Sequence, residues 1–218
     1  MTGIMRSLRE DHDNHFKLLA VIGHEIDAME RGGSANCDLL EAALAYCLSY
    51  QSMYHHPRED QVFRMLRDCD RGVAEDIGDL QTEHEDLNAL TRAFAEAVHA
   101  VSQGDEQPPD RMLPVAREFL DFYQRHMRME EERFFPAALR TLTAVHWAEI
   151  ESKSDVRGDP LFGAHIEHRY AELRHAIMHL GGSTRGRCPA APPQEAPEVG
   201  LDDGAQPLPR VHGRSSGR

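Results

Sequence analysis

Two pairs of residues in this sequence have the spacing of metal ligands. His55 and Glu59 are four residues apart, and so are His126 and Glu130. On a helix that spacing stacks both side chains on one face. Each pair then offers an imidazole nitrogen and a carboxylate oxygen to the same region. Nitrogen and carboxylate donors without thiolate suit iron, manganese or zinc, whereas calcium and magnesium prefer oxygen alone. A glutamate has two oxygens and can bridge two ions, so two glutamates flanked by imidazoles favour a di-iron centre, with zinc or manganese as competitors. His12 and His84 sit in comparable surroundings, and His15 and His56 lie close beside ligand candidates in the chain.

Such residues act together only if the chain carries them to one place. The first 180 residues read as helical almost throughout, in four long segments of about residues 4–31, 36–70, 73–102 and 108–141. Glycine-rich or proline-rich links separate them, and short links between long helices imply antiparallel neighbours. Each segment has an apolar seam with steps of three and four. The third is the clearest, with Val73, Ile77, Leu80, His84, Leu87, Thr91, Phe94, Val98 and Val101. A polar residue interrupts every seam: His12 and His15 in the first, His55 and Glu59 in the second, His84 in the third, His126 and Glu130 in the fourth. Burying such groups is costly unless something compensates. Counted from the turns at about 1.5 Å per residue, the four interruptions fall in one layer of an antiparallel bundle.

Pro57 stands between His56 and Glu59. It removes an intrahelical hydrogen bond and clashes with the preceding turn. The expected kink or bulge would turn both His55 and His56 toward the interior.

Composition narrows the function classes. There are 37 acidic and 24 basic residues, for a formal net charge of −13. That balance argues against a nucleic-acid or membrane-surface partner. No apolar run is long enough to span a bilayer. The four cysteines form no C-x-x-C pair, so no zinc ribbon, redox motif or disulfide framework is expected, and the expected location is cytoplasmic. Residues 181–218 are rich in glycine and proline and poor in large apolar residues, and they read as a disordered tail through which a protein partner could dock.

The stretches LREDHDNHFKLL (8–19), YHHPREDQVF (54–63), EHEDL (83–87) and HMRMEEERFFPAAL (126–139) resemble the hemerythrin-like, or HHE, cation-binding family. The resemblance implies an all-α, up-down-up-down four-helix bundle with a non-haem di-iron centre. Its ligands would be His12, His55, Glu59, His84, His126 and Glu130, with the glutamates as bridges. Asn88 stands where oxygen carriers of the family place a further histidine on the third helix, so His15 or His56 would complete the set or the position would be open to water or substrate. On this reading residues 1–145 are the metal-binding bundle, 146–180 a helical extension packed on it, and 181–218 the tail. The implied partner is a small diatomic ligand or peroxide. Binding or sensing of oxygen, nitric oxide or iron is expected; the alternatives are a peroxide- or nitric-oxide-processing enzyme, an iron donor for cluster repair, or a purely structural metal. Asp11, Glu83 and Glu85 read as solvated surface, Tyr50, Tyr54 and Tyr123 as core packing, and His165, His168, His175 and His179 as exposed polar residues.

Overall fold

The computed structural model describes residues 2–104, 109–154 and 158–179. The predicted tail lies outside them. Among the described residues there are helices and no strand. Helix α1 runs Gly3–Glu30, α2 Cys37–Tyr46, α3 His56–Cys69, α4 Arg71–Ile77, α5 Leu80–Ser102, α6 Pro109–Met129, α7 Phe135–Thr141, α8 Ala144–Lys153 and α9 Ala171–His179. Two π-helical segments, Cys47–His55 and Glu130–Phe134, join α2 to α3 and α6 to α7 without a break.

The four rods are therefore α1, α2–α3, α5 and α6–α7, and cross-links fix their direction. His55 and Arg58 bond to Asp11 and Ser7, while Asn36 reaches Glu25. His84 meets Asp60, and His99 meets Glu41. Arg117 bonds to Glu30, while Glu130 lies beside His12. In each pair of neighbours one sequence number rises as the other falls, so the rods are antiparallel in an up-down-up-down bundle.

Local chemistry sets the ends. Thr2, Asn36, Asp70 and Asp79 each accept a backbone N–H of the following first turn, an N-cap that satisfies one of the orphan donors there. The predicted third helix is divided, however. Gly78, at φ +105°, separates α4 from α5, so Val73 and Ile77 belong to a short helix of their own. Periodicity alone runs across such a break, because α4 continues the apolar spacing on a new axis.

Proline explains the π-helical segments. Pro57 and Pro136 occupy the first turn of α3 and α7. Neither can donate to the preceding turn. Just before each proline the ladder widens: His56 N–H bonds to Gln51 O and Phe135 N–H to Glu130 O, both five residues back. The extra residue in the turn brings two consecutive side chains inside. His55 with His56, and Phe134 with Phe135, are all buried.

The core is in two parts. One apolar cluster holds Ile4, Met5, Leu8, Val62, Phe63, Leu66, Phe134 and Phe135, with Trp147 and Ile150 of α8 joining it. The other holds Leu18, Ile22, Ile26, Leu44, Phe94, Phe119 and Tyr123, with Leu173 and Ala176 of α9 joining it. Between them lies a layer of buried histidines and carboxylates. Among the described residues Cys47 and Cys69 are free. No described helix is long and apolar enough to cross a membrane.

Candidate metal centre

All eight predicted residues reach the polar layer. His12, His15, His55, His56, Glu59, His84, His126 and Glu130 are each at most 5% exposed. Glu59 and Glu130 occupy the middle. Glu59 Oε1 lies 3.3 Å from His12 Nε2 and 3.3 Å from His55 Nε2, while its Oε2 lies 3.5 Å from His84 Nε2. Glu130 mirrors this, with Oε2 3.4 Å from His12 Nε2 and Oε1 3.3 Å from His126 Nε2 and 3.6 Å from His84 Nε2. Each carboxylate thus turns one oxygen toward His12 and the other toward His84.

These inner atoms approach one another without hydrogen bonds. Both oxygens of Glu59 and Glu130, and Nε2 of His12, His84 and His126, are buried and unpartnered, as are His15 Nε2 and His56 Nδ1. Leaving so many buried polar atoms unsatisfied would cost about 1–3 kcal/mol each. Donors that each sit about 2.0–2.2 Å from a shared cation lie roughly 3–3.5 Å from one another, which matches the observed separations. The residues therefore fit metal ions. His12, His55 and Glu59 could hold one; His56, His84 and His126 form a second group, and Glu59, His84 and Glu130 a third that overlaps both.

His56 lies face to face with His84, with ring centroids 4.2 Å apart. It supplies an imidazole on the side where Asn88 does not. His15 stands on the other side, its ring 4.7 Å from that of His55.

The outward nitrogens are also accounted for. The Nδ1–H of His55 donates to Asp11 at 3.2 Å, that of His84 to Asp60 at 3.0 Å, that of His126 to Glu83 at 2.8 Å and that of His12 to Glu131 at 3.0 Å. Each bond fixes its ring with Nε2 facing inward, the usual support for a ligating histidine. Every bond crosses to a different rod. Asp11 of α1 serves the second rod, Asp60 of α3 serves α5, Glu83 of α5 serves α6, and Glu131, just past α6, serves α1. Arg58 bonds to Asp11 as well.

Asp11 is buried, not the solvated surface expected from sequence, and Glu83 is half-exposed yet accepts from His126; Asp60 and Glu131 are not singled out by the sequence pattern. The signal was adjacency, since each is the chain neighbour of an inner residue: His12, His84, Glu59 or Glu130. What hid it is that each serves a histidine on another helix. Glu85, His165, His168 and His175 are exposed, in line with their reading; the side chain of His179 lies outside the described residues.

Electrostatics divides the histidines. Burial opposes the charged form of His12, but Glu130, Glu131 and Glu59 outweigh it and raise its pKa well above the ordinary value. His84 behaves likewise: burial opposes the charge, but Asp60, Glu130 and Glu59 prevail. Burial also pushes both glutamates up, yet the surrounding imidazoles hold Glu59 well below its usual value and Glu130 at about 2. His15 and His56 are kept neutral by burial and by neighbouring histidines.

A family model described as the hemerythrin HHE cation binding domain matches residues 4–138. No curated protein and no solved structure gives a significant match.

Proposed function

Because the chain belongs to the hemerythrin HHE cation-binding domain family, we propose that its polar layer is a two-iron centre that binds a small ligand such as oxygen, nitric oxide or peroxide. The observation that carries this is the disposition of the two glutamates. Each directs one oxygen to the His12 side and one to the His84 side, as a carboxylate bridging two ions does. His12, His15 and His55 would hold one ion; His56, His84 and His126 would hold the other.

Three imidazoles and two carboxylate oxygens would give each ion five protein donors and leave room for a small ligand. When bound, iron would supply redox chemistry and an acceptor for the ligand's lone pair. The chain does the rest. Asp11, Asp60, Glu83 and Glu131 orient the imidazoles, and the two apolar clusters exclude water from both sides of the layer.

Metal analysis of protein from iron-replete cells, with its absorption spectrum, tests the reading. About two irons per chain and a spectrum that responds to oxygen or nitric oxide are expected of a bridged ferrous pair. Stoichiometric zinc with no affinity for iron would sink it.

Peroxide turnover at the same centre is a second reading. It draws on Tyr123, whose hydroxyl lies 3.3 Å from His15 Nδ1 and so places an oxidisable group beside the centre.

A further inference from the structure

All five tyrosines of the sequence lie in one continuous aromatic chain that starts at His15. The rings of Tyr123 and Tyr46 approach His15 at 6.1 and 6.3 Å between centroids. Tyr46 stacks on Tyr50 at 5.6 Å, and Tyr50 meets Tyr54 at 5.9 Å. Tyr170 stands edge-on to Tyr46 at 5.8 Å. Tyr46, Tyr50, Tyr123 and Tyr170 are buried, and Tyr54 is half-buried, so the chain leads from the polar layer to the surface.

Packing alone does not account for this. On the other side of the polar layer the buried aromatic residues are Phe63, Phe134, Phe135 and Trp147, with no tyrosine. Phenylalanine fills space as well, and a buried phenol needs a partner for its hydroxyl. The partner of Tyr46 is a proton acceptor. Tyr46 donates to Asp159 Oδ2 at 2.9 Å, and Tyr123 OH faces His15 Nδ1. Asp159 is itself held in place, its Oδ1 accepting the N–H groups of Leu161 and Phe162. Burial raises its carboxyl pKa, so it takes up a proton more readily than a surface aspartate.

We infer that Tyr46, Tyr50 and Tyr54 form a relay that carries oxidising equivalents from the metal layer to the surface, with Asp159 as the proton acceptor of Tyr46. This rests on the two-iron reading and names peroxide as the oxidant. Reduction of one peroxide to two waters consumes two electrons and two protons. Two successive one-electron oxidations of Tyr46 supply the electrons, and the two protons are drawn from solvent, to which oxidation of the external reductant returns them. Each time the Tyr46 phenol loses one electron toward the centre and passes its proton to Asp159, leaving a neutral phenoxyl radical. A thiol-class one-electron reductant outside the bundle then restores the electron through Tyr54 and Tyr50, and Asp159 returns the proton to Tyr46. The relay would keep a strong oxidant from persisting among the ligand histidines.

The test uses the iron-loaded full-length chain, mixed with hydrogen peroxide and frozen rapidly for electron paramagnetic resonance. The expected result is a tyrosyl radical that falls several-fold in Tyr46→Phe, a change that keeps the ring and its packing. Asp159→Asn, which keeps an oxygen acceptor but removes the base, is expected to lower the signal as well. A tyrosyl signal unaffected by both variants, or none at all from iron-loaded wild type, overturns the relay. Iron content of the same samples separates the two ideas. Chain that takes up no iron defeats the two-iron reading and the relay together; iron without the radical defeats the relay alone.

Discussion

Asp11 and His55 meet across the interface of the first two rods, the carboxylate accepting from imidazole Nδ1 at 3.2 Å while Arg58 holds the same carboxylate from the other side. Asp11→Asn keeps the shape but loses the charge that strengthens the imidazole as a ligand. Metal affinity is expected to fall about 10- to 100-fold, measured by competition with a chromophoric chelator. Unchanged affinity would show that Asp11 serves only the Arg58 pair.

Glu59 touches both halves of the centre. In Glu59→Ala the two groups of histidines lose a shared donor, and metal content is expected to drop from about two ions per chain to below one. Elemental analysis of purified variants reads this directly. Retention of the full complement would mean that Glu130 alone bridges.

Acid and base should act oppositely on the metal-free and the loaded protein. His12 and His84 have raised pKa values when folded, so their contribution to metal-free stability is full below an unfolded value of about 6.5 and lost as pH rises through the folded value. Glu59 and Glu130 are depressed, so theirs is present above about 4.5 and lost as pH falls toward the folded value. His15 and His56 stay neutral when folded and so cost stability as pH falls below about 6.5, which places the greatest stability of chelated protein near pH 6.5. Metal must displace the protons on these imidazoles, so the extra stability of loaded protein should grow with pH. Melting curves of both forms from acid to neutral pH check this, and parallel curves would contradict it.

Pro57→Ala restores an N–H at the point where the helix widens. If the π-helical segment reverts to regular helix, His55 and His56 turn by roughly 100° relative to Glu59. Weaker metal binding by about tenfold or more is expected, with the helical circular dichroism retained. Wild-type affinity in this variant would assign the segment to bundle curvature alone.

Gly78 adopts φ +105°, which disfavours any side chain even though the space around it is open. Gly78→Ala is expected to cost about 1–3 kcal/mol in denaturant melts. Metal stoichiometry should not change, since Gly78 joins α4 to α5 outside the polar layer. Loss of metal here would tie the centre to the position of α4.

The inner residues were legible in the sequence because polar side chains at seam positions violate a strong pattern. His84, among Leu80, Leu87, Thr91 and Phe94, has no reason to be there without a partner. Pro57 likewise announced a local irregularity beside His55 and His56. Its twin at Pro136 was harder to see, because Phe134 and Phe135 are both apolar and raise no conflict when buried together. The break at Gly78 was hidden for the same reason, since Ile77 and Leu80 continue the apolar spacing across it. The outer carboxylates could not be read from periodicity at all. Asp60 and Glu131 lie at the edge of their helices, and only the three-dimensional neighbour shows which histidine each supports.

The outer carboxylates also describe a circuit. The first rod gives to the second, the second to the third, the third to the fourth, and the fourth back to the first. No rod takes from the neighbour to which it gives. A bundle with two rods exchanged, or with the opposite handedness, would present carboxylates to the wrong partners and leave four imidazoles unoriented. The circuit thus works as a proofreading device for assembly: only the correct circular order closes it, and only a closed circuit presents four inward-facing nitrogens together.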